Sequence, residues 1–130
     1  MRATVVDSHH HPVRALRRKT RAHLGYQSVL DRIGEIVALL RDEVGLKREQ
    51  ISGLGVGVPG PVDMTHGKVM DAPNLGWKQL GIRDSLERIT GLSTTLDNDV
   101  NLALYGEVKA GAAVEYEDCL GIWTGTGVGG

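Results

Sequence analysis

The segment Asp97-Asn98-Asp99 places two carboxylates and an amide between a short apolar run and a helical pattern. Ligands of α/β proteins bind beyond the carboxyl ends of strands, which is where this segment is expected to lie. A carboxylate there can accept a proton from a substrate hydroxyl, and a neighbouring amide can orient that hydroxyl. Asp and Asn are also preferred N-caps of helices, so the segment could be structural. The two roles are compatible, because one residue suffices as a cap.

Residues 53–63 alternate glycine with apolar residues and end in Pro59-Gly60-Pro61, followed by Val62 and Asp63. Glycine along a strand allows close approach by another backbone or by a ligand. The segment is therefore either a ligand-facing loop with bare backbone groups or a tightly packed strand with a structural turn. The pattern alone leaves both interpretations open.

Residues 123–130 contain a second glycine-rich segment, Gly125-Thr126-Gly127, after a predicted strand. Backbone N–H groups and a hydroxyl in such a turn can contact phosphate oxygens. The segment lacks the Gly-Lys-Ser/Thr of a P-loop and the spacing of a dinucleotide-binding turn. A flexible tail is the alternative interpretation.

Two other polar clusters are interpreted as structural. His9, His10 and His11 are consecutive, so their side chains point different ways and are not expected to chelate one ion. The basic residues near the N-terminus lack interleaved aromatic side chains, which favours a solvated strand face over a nucleic-acid contact. These basic residues are Arg14, Arg17, Arg18, Lys19 and Arg21.

Hydrophobic periodicity predicts the elements that would position these residues. Apolar residues recur with helical spacing over residues 26–44, and Gly45 ends that helix. Further helices are predicted over residues 82–90 and 100–110. Strands are predicted over residues 2–7, 13–20, 53–58, 68–70, 94–96 and 119–123. The alternation of strands and helices predicts an α/β fold.

The composition is that of an ordinary globular domain. The 130 residues are 41% hydrophobic and 24% charged, with a net charge of -1. This length and hydrophobic content are enough for one domain with a core. No apolar run is long enough to span a bilayer, and a near-neutral chain has no field that gathers nucleic acid. Cys119 is the one cysteine, which excludes an internal disulfide and favours a cytoplasmic location.

Taken in order, these segments resemble the ROK family of sugar kinases and transcriptional repressors. The resemblance covers nearly the whole chain and depends on the order and spacing of several modest motifs. The matching stretches are residues 55–63 (GVGVPGPVD), 67–69 (GKV), 72–77 (APNLGW), 96–101 (LDNDVN), 103–107 (ALYGE) and 125–130 (GTGVGG).

The resemblance implies an actin-like, ribonuclease-H-like fold and the transfer of the γ-phosphoryl of ATP, with Mg²⁺, to a hexose such as glucose. It implies that Asp99 is the general base. Sugar contacts are implied for Gly60, Asn74, Asn98 and Glu107, and ATP phosphate contacts for Gly125, Thr126 and Gly127. A homodimer is one expectation for the assembly, whereas membrane and nucleic-acid partners are not expected.

The resemblance also implies that the chain is an N-terminal lobe truncated at both ends. Residues 1–116 would form that lobe without its first strand, and residues 117–130 would begin a second lobe with a strand and a phosphate turn. The family's zinc site is not expected in this chain. We expect low stability or association through an open strand edge, and little or no kinase activity from the chain alone.

Two other functions remain open at this stage. A ROK repressor would use the same fold to sense a sugar, and it would bind the sugar without turnover. The third interpretation is a non-catalytic remnant, translated from a truncated or broken gene. The segments at residues 72–77 and 125–127 resemble the kinases more than the repressors, which favours the kinase interpretation.

Overall fold

A computed structural model describes residues 1–124 and 128–129, and within them it has the predicted mixed α/β architecture. The strands are β1 (Arg2–Val6), β2 (Pro12–Arg17), β3 (Leu54–Val58), β4 (Val62–Asp63), β5 (Lys68–Ala72), β6 (Trp77–Gly81), β7 (Thr94–Asn98), β8 (Trp123–Thr124) and β9 (Val128–Gly129). The helices are α1 (Tyr26–Glu43), α2 (Arg83–Thr90) and α3 (Asp99–Ala110). Short 3-10 turns lie at Ala22–Leu24, Arg48–Gln50 and Pro73–Leu75.

The strands of the described residues form four small sheets. β1 and β2 pair antiparallel, and β3 and β7 pair parallel. β4, β5 and β6 form an antiparallel meander, and β8 pairs with β9. In the described residues no backbone ladder joins β1 to β3, so the β1–β2 hairpin and the β3–β7 pair each keep an unpaired edge.

Helix α1 confirms the strongest periodicity in the sequence. It buries Val29, Leu30, Ile36 and Leu40, which recur at helical spacing on one face. It ends one residue before the predicted boundary, and Gly45 follows with φ of 69°, a left-handed conformation that glycine adopts without steric cost. Arg14 on β2 forms an ion pair with Glu43 at the helix end, with Nε 2.5 Å from Oε2.

One hydrophobic core joins α1 and α2 to the β3–β7 pair and the meander. Packing of side chains from six different elements fixes where β3 and β7 end relative to β5, and this determines the geometry of the loops beyond them. The buried members of this core are Val29, Leu30, Val58, Val69, Ala72, Trp77, Ile82, Leu86 and Leu96.

Two strands of the meander, β4 and β6, were not predicted. β4 is only two residues long, and β6 lacks the alternation of buried and exposed residues that identifies a strand. Trp77 is buried and Leu80 is half-buried, three residues later, because Gln79 between them has φ of 48°. A left-handed residue in a strand changes which face the following side chain occupies, so the period of two is lost.

The prediction of a strand over residues 119–123 was wrong for most of its length. Only Trp123–Thr124 is extended and paired, whereas Cys119 lies outside any strand. Leu120 and Ile122 are 83% and 65% exposed. The apolar run has the composition of a buried strand, but a strand needs a neighbouring backbone to accept its hydrogen bonds, and residues 119–122 have none in the described part of the chain.

The turn between β1 and β2 contains the three consecutive histidines. The carboxylate of Asp7 accepts hydrogen bonds from the backbone N–H groups of His9 and His11, at 2.8 Å and 2.9 Å. This local bonding is typical of an Asx-type turn, and it explains why a polar segment reverses the chain here. None of the helices in the described residues is long and apolar enough to cross a membrane.

Candidate active site

The candidate site lies where the parallel strands β3 and β7 end. Their register pairs Gly57 with Asp97 and Val58 with Asn98, so the two strands end at the same level of the sheet. The turn 59–61 therefore leaves β3 next to the start of α3, which leaves β7. Two segments that the sequence singled out, 53–63 and 97–99, meet at this edge, as expected for ligand sites in α/β proteins.

Asn98 is the N-cap of α3. Its Oδ1 accepts hydrogen bonds from the backbone N–H groups of Val100 and Asn101, at 2.9 Å and 3.3 Å. The structural interpretation of the segment is therefore correct for this residue. Its Nδ2 also donates to the carbonyl oxygen of Gly60 at 3.0 Å, which joins the helix start to the turn after β3.

The two carboxylates that flank Asn98 have different surroundings. Asp97 is half-buried, and its Oδ1 accepts hydrogen bonds from the N–H of Asn98 at 2.6 Å and from Asn101 Nδ2 at 3.1 Å. Asp99 is exposed, and its one hydrogen bond among the described residues is a 3.1 Å contact from Val100 N to Oδ1. Of the two, Asp99 has the carboxylate that can approach a substrate hydroxyl.

Gly60 has a conformation and a contact that only glycine allows. Its φ is 86°, and a Cβ on it would overlap the carbonyl oxygen of Asp71 at the end of β5. The backbone of the turn thus lies directly against β5. The packing and ligand-facing interpretations of the turn are both compatible with this contact, because Gly60 is only half-buried.

Asn74 lies in the 3-10 turn Pro73–Leu75, three residues after the Asp71 carbonyl that Gly60 contacts. Its side chain is exposed. The contact between Gly60 and β5 therefore places the loop that carries Asn74 on the same side of the molecule as the turn 59–61. A direct contact joins Gly60 to Asn98, which precedes Asp99 in the chain. The position of Asn74 is set indirectly, by the contact between Gly60 and β5.

The other predicted site residues lie elsewhere or outside the described residues. Glu107 is exposed, and its Oε2 accepts a hydrogen bond from the N–H of Ala112 at 2.8 Å, so it closes the far end of α3. It lies eight positions after Asp99 in the helix, or about 12 Å along the axis. Its predicted sugar contact would thus require a ligand that reaches far along α3. Gly125, Thr126 and Gly127 lie outside the described residues.

Sequence reasoning missed the particular role of Gly57. A Cβ at this position would lie 3.1 Å from the Cα of Asp99 and 3.1 Å from Cδ2 of Leu102. Such distances are tighter than ordinary van der Waals contact, so a bare backbone at Gly57 lets the first turn of α3 pack against β3. The alternating glycines of 53–57 were the signal, but they did not identify which glycine contacts the helix.

Asp63 at the end of the same glycine-rich segment is engaged in a turn. Its Oδ1 accepts from the N–H of His66 at 3.0 Å, and its Oδ2 lies 2.7 Å from Nδ1 of His66. The backbone hydrogen bond from His66, followed by the side-chain bond from the same residue, lowers the pKa of Asp63 below its ordinary value of 3.8.

This lowered pKa predicts a pH dependence of stability. Because the folded pKa lies below the unfolded one, the stabilisation by Asp63 is fully present above pH 3.8 and is lost as the pH falls through the folded pKa. The difference in unfolding free energy between the wild type and Asp63→Asn should therefore shrink as the pH is lowered below 3.8. Urea denaturation at a series of pH values measures it. Asp118→Asn, at an exposed position, is the control, and an equal shrinkage there would contradict the assignment.

The geometry supports proton abstraction from a bound hydroxyl. An exposed carboxylate, bare backbone groups of a turn and amide side chains lie at the carboxyl edge of a parallel strand pair. The described residues contain no group of three His, Cys, Asp or Glu side chains that could hold a metal ion. The exposed carboxylate and its polar neighbours are suited to acid–base chemistry on a polar ligand.

Comparison with known proteins identifies the family. The ROK family profile matches residues 1–130. A glucokinase of Halalkalibacterium halodurans is 40% identical over 83 residues, which are 64% of this chain and 25% of that protein. A xylose repressor of Caldicellulosiruptor bescii is 33% identical over 79 residues, which are 61% of this chain and 20% of the repressor.

A solved structure shows the same fold. A ROK family glucokinase from Streptomyces griseus, determined in complex with glucose and AMPPNP, superposes with a TM-score of 0.86 and 29% identity over 97% of this chain. The match covers 38% of that glucokinase chain, and the Halalkalibacterium glucokinase and the xylose repressor are matched over a quarter or less of their length. These matches confirm the actin-like α/β fold, and the chain belongs to the ROK family.

Proposed function

We propose that the protein containing this chain is an ATP-dependent hexose kinase, with glucose as the first candidate substrate, and that this chain supplies its general base. The observation that carries the proposal is the exposed carboxylate of Asp99 beside the Gly60 turn, where Asn98 bonds to both segments. The glucokinase relatives support the assignment of substrate class.

Each group has a defined part in the proposed reaction. A sugar hydroxyl held near the Gly60 turn would give its proton to Asp99 as the oxygen attacks the γ-phosphorus of ATP, and ADP would leave. Phosphoryl transfer needs alignment and charge neutralisation more than covalent participation of the protein. A single base and a polar cradle for hydroxyls are therefore sufficient contributions from this part of the protein.

Mg²⁺ enters the proposal together with the nucleotide. In the proposal this ion is bound largely by water and by nucleotide phosphates, which is the usual coordination of Mg²⁺ in sites of phosphoryl transfer. Such an ion would neutralise charge on the transferred phosphoryl group. Phosphate contacts by Gly125, Thr126 and Gly127 remain part of the proposal, as do a cytoplasmic location and a dimeric state.

A sugar-sensing repressor is the second candidate function. The 33% identity to a xylose repressor favours keeping it, because the same residues could bind a sugar without catalysis. The two functions differ in one measurable respect. A kinase converts ATP and hexose into products, whereas a repressor only binds the sugar.

The test uses the longest natural polypeptide that contains this chain, because the chain spans at most about two fifths of the structures and relatives it matches. We expect ADP and hexose phosphate to form in equal amounts from ATP and glucose, with mannose, fructose, N-acetylmannosamine and xylose assayed in parallel. AMPPNP, which is not a phosphoryl donor, is the control. Sugar binding without ADP formation would favour the repressor over the kinase. If the protein neither forms ADP nor binds a sugar, both candidate functions are wrong.

A further inference from the structure

We infer that Asn98 is a positioning residue that holds the Gly60 turn and the Asp99 carboxylate at a fixed separation. The effect expected on catalysis rests on the proposed kinase function, but the hydrogen bond from Asn98 to Gly60 can be tested without measuring activity. Its starting point is that one side chain bonds to two segments that are 38 residues apart in the chain.

The hydrogen-bonding capacity of Asn98 is almost fully used inside the protein. A side-chain amide has two acceptor lone pairs on oxygen and two hydrogens on nitrogen. Oδ1 accepts from Val100 N and Asn101 N, and Nδ2 donates one hydrogen to the Gly60 carbonyl oxygen. One N–H remains for a ligand, so the main task of this side chain is to join the segments.

Both segments joined by Asn98 are held from their other sides. The Gly60 backbone lies against the carbonyl of Asp71 on β5, where no side chain could be accommodated. The first turn of α3 lies against β3 at Gly57, with no room for an ordinary Cβ contact between them. The Gly60 turn can therefore move only away from β5, and the first turn of α3 only away from β3. The Asn98 amide opposes both movements.

The position of this bond suits a site in which two partners must be aligned. The turn would line the sugar, and Asp99 follows Asn98 directly in sequence. A change of about 1 Å between base and hydroxyl can lower the rate of a positioned reaction about a hundredfold. Loosening the turn should thus reduce both affinity for the hexose and turnover, even though Asn98 itself need not contact the reacting atoms.

Asn98→Ser separates the cap from the bond to the turn. Serine is as good an N-cap as asparagine, so α3 should keep its start. Its hydroxyl is too short to reach the Gly60 carbonyl while it caps the helix, so the bond to the turn is lost. Asn98→Ala loses both functions. Asn101→Ala is the matched control. It removes a side-chain amide near the start of the same helix, and this amide donates to Asp97 rather than to the segment 59–61.

Backbone amide exchange followed by NMR reads the effect in the longest natural polypeptide that contains this chain, without any measurement of activity. The N–H of Met70 donates to the Pro61 carbonyl at 2.9 Å, so its protection reports whether the turn stays against β5. In Asn98→Ser we expect exchange at Met70 to accelerate at least about tenfold while α1 amides keep their protection. In the wild type, one of the two Asn98 side-chain amide protons should exchange more slowly than the other.

Kinetics of the longest natural polypeptide gives the second readout. In Asn98→Ser the KM for the hexose should rise and kcat should fall, while the KM for ATP stays near its wild-type value. Unchanged Met70 exchange, or a wild-type KM for the hexose in an otherwise active enzyme, would overturn the inference. If the wild-type protein phosphorylates no hexose, the proposed function fails, and the Met70 result alone then decides whether the bond holds the turn.

Discussion

Asp99→Asn should lower kcat for hexose phosphorylation by about 10²–10⁴-fold, the contribution typical of a positioned general base. Asparagine keeps an oxygen at the position that accepts the N–H of Val100, so the first turn of α3 should stay intact. The amide cannot accept a proton from the sugar hydroxyl at neutral pH. The KM for the hexose should change much less than kcat, because the ligand contacts of the turn remain.

Two controls make this result specific. Asp84→Asn changes a carboxylate of which 86% is exposed, on α2 and outside the candidate site, and should leave kcat unchanged. Circular dichroism and exchange protection of Val100 should show that the fold of Asp99→Asn is kept. A kcat within about threefold of the wild type would assign the base to another residue and would leave Asp99 as part of the helix start.

The sequence predicts which residues belong to the candidate site but not which of them are hydrogen-bonded to each other. The segment 97–99 was expected at a strand end with one residue as the cap, and Asn98 is that cap. Local sequence preference suffices for this, because capping involves residues within one helical turn. The bond from Asn98 to Gly60 spans 38 residues and depends on the parallel register of β3 and β7, which no local pattern encodes.

The fold shows the same division between local and distant information. Helix α1 was predicted to within one residue, since its stripe of buried side chains follows the period of the helix itself. β6 was missed because Gln79 adopts a left-handed conformation that destroys the alternation of Trp77 and Leu80. The strand predicted at Cys119 failed for the opposite reason, because its composition is apolar but residues 119–122 pair with no strand in the described part of the chain.

The glycine-rich segment 53–63 illustrates why the two interpretations of it could not be separated by sequence. Gly57 and Gly60 are both required by close packing, against α3 and β5 respectively. The packing at the same time exposes the turn at the edge where the candidate base lies. The same backbone positions are thus required for packing and lie where a ligand could bind. Evidence for the packing interpretation therefore does not exclude the ligand-facing one.

Gly60→Ala should reduce the unfolding free energy of the chain more than a left-handed glycine replacement normally does. An alanine at φ of 86° costs about 1–2 kcal/mol on conformational grounds. Its Cβ would also overlap the Asp71 carbonyl oxygen, and relief of that overlap must move either the turn or β5. Overpacking of this kind adds about 1–3 kcal/mol, so a total loss of about 2–5 kcal/mol is expected.

Gly45→Ala isolates the steric part of this loss. Gly45 has φ of 69°, and a Cβ there would meet no atom within 4 Å, so its replacement carries the conformational cost without an overlap. Urea denaturation of both variants gives the difference directly. A loss in Gly60→Ala that exceeds the loss in Gly45→Ala by about 1 kcal/mol or more would support the close contact between the turn and β5. Equal losses would show that the turn is free to move away from β5, and the fixed separation inferred for Gly60 and Asp99 would then fail with it.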